Sequence, residues 1–336
     1  MKYSLYLALI LSFTTLWCSG QNNSDWDKKL TKADQLFTDY NNSKASIAAL
    51  IINNDSVQFI KKYGNNTENY DQVYDLGKIS KYFTAIGILK LVEENKIKLT
   101  DKLSLFFPEL PGYADSITVE NLLIHKSQLP FLSKDIDFRN QNEIDNFLAN
   151  VNLNKHFEGK TIFNDLDYYL LFRIIGSKYK KGYVKFITKE ILKPLKIKNV
   201  IIIDHNFKSF SNLPKAYVTR DSMLQEFNKP SYNKILPGAS GIYMSINDLS
   251  KFIINLNQGK IISKETFRNV YSSEYFDDKE NGTRSFYGLN GIKETVYNTD
   301  YFYDGGFTDF GSQSALRIPV VNVNVILLTN QPGIFG

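Results

Sequence analysis

The chain has 336 residues, of which 43% are hydrophobic, and this is enough for one large core or two closely packed lobes. Its 40 basic and 35 acidic residues leave a formal net charge of +5, with the lysines scattered rather than clustered. A solvated surface explains this charge better than a nucleic-acid footprint does, so we expect no nucleic-acid partner.

The first residues indicate export. A short positive start is followed by an apolar segment, Leu5 to Leu16, which is shorter than the ~20 residues that cross a bilayer. We predict that residues 1–20 are a signal peptide and that the protein acts in the periplasm or at the cell surface. A lipid anchor on Cys18 is the alternative, but Trp17 is a poor residue directly before a lipidated cysteine. No later segment is apolar enough to cross a membrane.

The next two elements are a helix and a hairpin. Trp26, Leu30, Ala33, Phe37 and Tyr40 recur on one side of a predicted helix from Asp25 to Tyr40. Two β-rich runs follow, from Ser46 to Ile52 and from Val57 to Tyr63. Asn53-Asn54-Asp55 separates them, which is a hairpin signal.

The stretch from Tyr74 to Leu99 predicts a second helix. Its apolar residues recur at intervals of three and four, which predicts one buried face: Ile79, Phe83, Ile86, Leu89 and Val92. Gly77 lies just before this helix, where the backbone must turn tightly.

From Gly77 the sequence reads Gly-Lys-Ile-Ser-Lys-Tyr-Phe-Thr-Ala. It resembles the Gly-Ser-x-Ser/Thr-Lys-x-Phe-Thr-Ala motif of serine β-lactamases, D-alanyl-D-alanine carboxypeptidases and related esterases. In that family the first serine is the nucleophile and the lysine three residues later is the general base. The resemblance therefore puts Lys78 in the place of the nucleophile and leaves Lys81 as the family's lysine.

Two further motifs of this family are altered. Relatives carry Tyr-Ser-Asn where this chain has Phe163-Asn164-Asp165, so the hydroxyl that shuttles protons and the amide that positions substrate are both absent. Relatives also carry His or Lys before x-Gly-Gly on a strand beside the active site. The resemblance assigns that position to Tyr303, followed by Gly305.

His125 lies in a stretch that resembles the family's His-Thr-Ser-Gly turn, which implies a structural role for it. Gln128 replaces the glycine of that turn, so we expect a slightly different backbone there. The three histidines, at 125, 156 and 205, show no metal-ligand spacing. No glycine-rich phosphate loop follows a strand, and we expect no cofactor.

The resemblance covers about residues 25–331, which we take as a single domain. It implies an α/β (α+β) fold of the β-lactamase and transpeptidase type, with an antiparallel sheet built from both ends of the chain. Helices flank this sheet, and a mostly helical lobe is inserted from about 66 to 280. The sequence does not define the oligomeric state.

Three altered motifs in one pocket favour a catalytically impaired pseudoenzyme that binds a cell-wall peptide or another small carboxylate. Paired lysines would make the pocket floor cationic, which favours such a ligand. The expected ligand-binding positions are Lys78, Lys81, Phe163, Asp165, Tyr303 and Gly305.

Three alternatives remain. An active serine hydrolase of the carboxypeptidase, β-lactamase or esterase type could use non-standard residues. Ser80 is the obvious substitute nucleophile, but its neighbour Lys81 points elsewhere round the helix. A lysine with a depressed pKa could form a Schiff base, with Asp165 as its acid or base. A structural envelope protein with an empty pocket is the third.

Overall fold

The structure is a computed structural model, and it describes the following parts of the chain: residues 23–40, 46–64, 68–132, 140–159, 161–208, 213–220, 223–227, 235–267, 286–288, 291–296 and 299–332. The predicted signal peptide and Cys18 lie outside these residues.

One antiparallel sheet of seven strands organises the molecule, in the order β2-β1-β12-β11-β10-β9-β8. Its strands are β1 Ile47–Asn53, β2 Ser56–Tyr63, β8 Phe286–Gly288, β9 Gly291–Val296, β10 Thr299–Thr308, β11 Gly311–Ile318 and β12 Val323–Thr329. Strand β1 pairs with β2 on one side and with β12 on the other, in a register that sets Ile47 opposite Thr329. Strands from the two ends of the domain thus lie side by side, which confirms the predicted fold class.

The described residues between β2 and β8 contain six α-helices. They are α2 Ser80–Glu93, α3 Val119–Leu123, α4 Gln141–Asn150, α5 Asp165–Lys178, α6 Gly182–Phe186 and α7 Ile246–Asn257, with α1 Asn23–Tyr40 ahead of the sheet. Two small antiparallel sheets lie in the same part of the chain: Val73–Asp75 (β3), Ile242–Ser245 (β7) and Val200–Ile202 (β4) form one, and Tyr217–Arg220 (β5) with Met223–Glu226 (β6) form the other.

The two faces of the large sheet bury different clusters. On the outer face, α1 packs Ala33 and Phe37 against Ile47, Ile51 and their neighbours. On the inner face, Leu50 and Ile52 join the main core, which also contains α2, α5 and α7. Because side chains along a strand alternate between faces, the central strands β1 and β12 contribute to both clusters.

Helix α2 lies at the centre of the inner core. We expected one buried face, but Ser80, Lys81 and nearly all residues from Phe83 to Leu91 are buried. Neighbouring elements cover the helix on several sides; Phe83, for example, stacks on Phe252 of α7 with ring centroids 4.2 Å apart. A helix that is apolar on several sides belongs inside a core rather than on its surface.

The N-terminal helix and hairpin agree with the sequence predictions within two residues at each end. The hairpin turn is made by Asn54 and Asp55, which both adopt positive φ angles, 48° and 59°. Asparagine and aspartate tolerate this conformation better than other non-glycine residues. Within the part of the chain that the structure describes, no helix combines the length and apolar character of a bilayer-spanning segment.

Candidate functional site

A tight turn presents the start of α2 to the cleft. Gly77 begins this turn with φ = +46°, and a Cβ added to it would lie 2.2 Å from Oε1 of Gln313. No residue larger than glycine fits without displacing that buried side chain. The turn places Lys78 at the entrance of the helix, partly exposed and facing Gly306 of β10.

Asp75 holds the turn from behind. Its carboxylate accepts a hydrogen bond from the backbone N–H of Gly77 at 2.9 Å and another from the hydroxyl of Thr308. The side chain is 4% exposed. Burial raises the pKa of Asp75 to about 6, although the two hydrogen bonds lower it in part.

This pKa predicts that Asp75 opposes folding at neutral pH. The folded state binds the proton more tightly than the unfolded chain, whose pKa is 3.8, so stability falls as pH rises from about 4 to about 6. Two pKa units correspond to about 3 kcal/mol. We expect Asp75→Asn, whose amide can serve both partners, to raise the free energy of unfolding at pH 7 by up to that amount. Urea unfolding at pH 4 and pH 7 measures it.

Asp248 provides a matched control of opposite sign. Its Oδ2 accepts the backbone N–H groups of Lys198 and Asn199, and these bonds with that of Lys251 leave the pKa of Asp248 below its usual value despite burial. Asp248→Asn should therefore lose stability at pH 7. If Asp75→Asn loses stability in the same way, the assigned cost of the Asp75 carboxylate is wrong.

Lys81, the family's lysine, lies one turn further along α2. Its Nζ donates to Oδ1 of Asp165 at 2.7 Å and to the carbonyl oxygen of Ala239 at 3.2 Å. The Lys81 side chain is 6% exposed, whereas that of Asp165 is 53% exposed. Asp165, at the first turn of α5, thus connects the buried lysine with the open cleft.

Phe163 brings the two lysines together. The Nζ atoms of Lys78 and Lys81 each lie 4.5 Å from the centroid of its ring. A ring face attracts a nearby cation through its quadrupole. Where the family's tyrosine would offer a hydroxyl, this chain therefore offers an aromatic surface shared by two ammonium groups.

Strand β10 corrects the assignment of Tyr303. Tyr303 packs with the α1 cluster, and its ring lies 6.1 Å from that of Tyr301 on the same face. The cleft face of β10 is the other one, since Gly306 faces Lys78 and Thr308 bonds to Asp75. Side chains alternate along a strand, so the residue that shares this face is Asp304.

The same alternation corrects Gly305. A Cβ on Gly306 would lie 3.3 Å from Cε of Lys78, so Gly306 rather than Gly305 leaves room for the lysine. With Gly305 and Gly306 adjacent, the sequence motif fits in two registers, and only the strand geometry distinguishes them. The placement of Asp304 is the feature that sequence reasoning missed.

Two carboxyl groups lie near the two lysines of the cleft, and the expectation of a cationic floor took neither into account. Burial raises the pKa of Asp304, against the lowering effect of the nearby charges of Lys81 and Lys78. For Asp165, the charge and hydrogen bond of Lys81 outweigh the effect of burial, so its pKa lies below its usual value. Two carboxyl groups thus accompany the two lysines.

His125 lies behind Phe163 in a buried pair. Its Nδ1 is 2.8 Å from Oδ2 of Asp167, and the two side chains are 7% and 0% exposed. The imidazole packs between Phe163 and Tyr168, with ring centroids 5.0 and 5.1 Å away. The backbone carbonyl of His125 also accepts the N–H of Ile162. These contacts connect the turn that contains His125 with the residues just before α5, and they support the position of Phe163.

Two other residues take structural positions. Ser80 is 1% exposed, and its Oγ accepts the backbone N–H of Ile242, so it does not face the cleft. Gln128 has φ = +63°, the left-handed conformation that glycine favours, so the expectation of a different backbone is wrong. The hydroxyl of Ser127 accepts the N–H of Leu129 in this turn.

Among the described residues, no group of three or more histidine, cysteine, aspartate or glutamate side chains could hold a metal ion. The carboxyl groups of the cleft have lysines as neighbours, and the imidazole of His125 contacts the carboxyl group of Asp167.

Together, the sheet, the inserted helices and the lysine three residues after the turn define the penicillin-binding-protein and β-lactamase class. The profile of the β-lactamase family matches residues 33–334, and the chain belongs to this family. Among its relatives, the teichoic acid D-alanine hydrolase of Staphylococcus aureus (strain MRSA252) is 25% identical over 325 residues, covering 91% of this chain and 80% of that protein.

Solved structures share the fold. A penicillin binding protein from Bacillus halodurans superposes with a TM-score of 0.70 at 16% identity, covering 86% of this chain and 93% of that one. A D-amino acid amidase from Ochrobactrum anthropi SV3, complexed with L-phenylalanine, superposes with a TM-score of 0.69 at 17% identity, covering 86% of this chain and 88% of that one. At these identities the two structures show the fold alone.

Proposed function

We propose that the chain is a binding member of the β-lactamase family, which takes a D-amino acid or a D-aminoacyl group in its cleft without hydrolysing it. One observation carries the proposal: the Lys78 ammonium lies over the ring of Phe163, and Asp304 on the facing strand β10 is near enough for its carboxyl group to interact with the charge of Lys78. Within the described residues neither of them forms a salt bridge. Opposite charges placed in this way suit a ligand that has both a carboxyl or carbonyl oxygen and an ammonium group.

The nucleophile position supports the absence of hydrolysis. An acyl-ester mechanism needs a hydroxyl at the start of α2 with a base in hydrogen-bond reach. Lys78 has no hydroxyl, and an amine acylated by a substrate would form a stable amide. The nearest serine in the sequence, Ser80, is buried and bonded to Ile242.

The names of the relatives support the ligand class. Both the teichoic acid D-alanine hydrolase and the D-amino acid amidase are named for compounds that carry a D-amino acid. Export through residues 1–20, which remains a prediction, would bring the cleft to cell-wall polymers that bear D-alanyl groups. A D-alanine-terminated peptide would present its carboxylate to Lys78, as the sequence suggested for a small carboxylate.

Calorimetric titration with three matched ligands tests the charge assignment. D-alanine has both charges, D-alanine methyl ester only the ammonium, and N-acetyl-D-alanine only the carboxylate. We expect Asp304→Asn to weaken the binding of D-alanine and of D-alanine methyl ester by about tenfold or more, because a hydrogen bond to a charged group is worth about 1.5–3 kcal/mol. The binding of N-acetyl-D-alanine, which has no ammonium group, should not change. Lys78→Met should weaken D-alanine and N-acetyl-D-alanine instead. Binding of none of the three, or equal effects of both variants on all three, would overturn the assignment.

Intact-mass measurement after exposure to a fluorophosphonate and to a penicillin tests the absence of acyl transfer. We expect the unmodified mass in both cases. A stoichiometric adduct would show an active serine hydrolase. The titration would still test the ligand class on its own.

One observation favours a second candidate, a hydrolase without an acyl-enzyme. Asp304 is a cleft carboxyl group with a raised pKa beside two lysines, a combination typical of general bases. It could take a proton from water that adds to an ester carbonyl, with Lys78 stabilising the oxyanion. Release of methanol from D-alanine methyl ester, lost in Asp304→Asn and accompanied by no protein adduct, would establish this activity in place of simple binding.

A further inference from the structure

A basic surface begins at the end of α5 that is remote from the cleft. Residues 178–198 contain eight lysines and a single acid, Glu190, so this segment has a formal net charge of +7, whereas the whole chain has +5. All eight lysines are exposed. This concentration departs from the even scatter of lysines that we expected over the whole surface.

Four of these lysines form one row on the outward side of a helix. They recur every four residues along α6 and the π-helical turn that continues it to Leu192: Lys181, Lys185, Lys189 and Lys193. Residues four apart on an α-helix drift by ~40° round its axis, and the wider π-helical turn rotates them back. The apolar side chains of the same helix, among them Phe186 and Ile191, are buried. Lys178 and Lys180 precede this lysine row, and Lys196 and Lys198 follow it.

Neighbouring acids do not neutralise this surface. Within the described residues, none of the eight lysines forms a salt bridge. The hydrogen bond of Glu94 and, to a smaller extent, the charge of Glu190 raise the pKa of Lys96. Glu94 also pairs with Lys90. These two acids therefore have lysine neighbours of their own, outside the row.

We propose that this surface docks on an anionic lipid bilayer. Clusters of about four to eight basic residues on an amphipathic helix are typical of proteins that bind anionic lipids. Lysine can lay its apolar stem along the protein and extend its ammonium group to a lipid phosphate. Export, which stays a prediction, would bring this surface to the bilayers of the cell envelope.

The composition of the segment favours a bilayer over a soluble polyanion such as nucleic acid. The segment contains no arginine, the residue that binds phosphates bidentately. Its rings are half-buried in Tyr179 and buried in Tyr183 and Phe186, so it offers no stacking platform for bases. Since all eight lysines are exposed, they are not set in a groove that would hold a single polymer chain.

Helix α5 separates this surface from the cleft. It begins at Asp165, in the cleft, and ends at Lys178. Its 14 residues span about 20 Å at the rise of an α-helix. This is about twice the distance over which exposed charges act at physiological salt. Docking at the lysine row therefore leaves the charges of the cleft unaffected.

Co-sedimentation of the full chain with vesicles tests the proposal. We expect vesicles of phosphatidylglycerol and phosphatidylethanolamine to bind more tightly than vesicles of phosphatidylcholine, and the difference to disappear with added salt, which screens exposed charges. Replacing all four residues of the lysine row with glutamine should weaken binding to the anionic vesicles by about a hundredfold or more. A thermal melt should show unchanged folding, because these side chains are exposed.

A second quadruple variant is the matched control, since it removes the same charge elsewhere. It replaces four exposed lysines outside the segment with glutamine: Lys32, Lys155, Lys208 and Lys260. This variant and Lys78→Met should bind anionic vesicles like the wild type. No preference for anionic vesicles, or equal losses in the two quadruple variants, would overturn the proposal. Binding of double-stranded DNA or polyphosphate without binding of vesicles would assign the surface to a soluble polyanion instead.

Discussion

Replacing Lys78 with serine is expected to give a protein that fluorophosphonate or penicillin labels slowly, if at all, and that does not turn over. The variant regains the Ser-x-x-Lys spacing, but its other groups are wrong for acyl transfer. Phe163 supplies no proton shuttle, and Lys81 already donates to Asp165 and to the carbonyl of Ala239. Residues that act as a unit in catalysis are not additive, so one restored member recovers little.

Restoring three groups at once should increase the labelling rate above that of Lys78→Ser. The variant Lys78→Ser, Phe163→Tyr, Asp304→His returns a nucleophile, a hydroxyl and an imidazole to one cleft. General acid–base groups typically contribute ~10²–10⁴-fold, so we expect labelling faster than that of Lys78→Ser by at least about tenfold. A time course followed by intact mass measures the labelling rate.

Tyr303 offers a matched control for this experiment. In the variant Lys78→Ser, Phe163→Tyr, Tyr303→His the imidazole would lie on the face of β10 that packs against α1. Labelling of this variant should be no faster than that of the double variant Lys78→Ser, Phe163→Tyr. Faster labelling with Tyr303→His than with Asp304→His would reverse the strand assignment. Brisk turnover by Lys78→Ser alone would show that the other substitutions are tolerated.

The largest expected loss of stability follows from His125→Leu. This change leaves Asp167, which is 0% exposed, without the imidazole that lies 2.8 Å away. Leaving a buried hydrogen-bonding group without its partner typically costs about 1–3 kcal/mol, and more for a charged group. Since burial raises the pKa of Asp167, protonation of that carboxyl limits the cost, and we expect about 3 kcal/mol at pH 7 in urea unfolding.

The double variant His125→Leu, Asp167→Leu separates this cause from a general packing defect. If the unpaired carboxyl group is responsible, the double variant should recover most of the lost stability, because both polar groups are then gone. A double variant less stable than His125→Leu would instead assign the loss to packing around Phe163 and Tyr168.

The fold was predicted from the family resemblance of several motifs, whereas the individual elements were predicted from local signals. The spacing of apolar residues located α1 and α2, and the Asn-Asn-Asp turn located the first hairpin. The motif around Gly77 also located the cleft, since glycine with φ = +46° and Lys81 three residues after Lys78 belong to one continuous segment. Predictions of this kind need no knowledge of which residues meet across the core.

The composition of the cleft depended on contacts that no local pattern shows. A shift of one residue along β10 exchanges Tyr303 for Asp304, and the adjacent glycines leave both registers open. The ion pair of Lys81 with Asp165 joins residues 84 positions apart. The sequence therefore located the two lysines but not the carboxyl group of Asp304 that lies near them.

The pairing of β1 with β12 also has a consequence for how the chain folds. Ile47 and Thr329 are opposite each other, so the centre of the sheet closes only after the intervening residues have been synthesised. Contacts between residues so distant in sequence form slowly, and unpaired strand edges are prone to aggregation until they do. The apolar strand Ile47–Asn53, completely buried in the finished protein, has β2 as its only sheet neighbour until then. A chaperone that holds the chain unfolded during this interval should therefore raise the yield of folded protein more than one that acts on the completed chain.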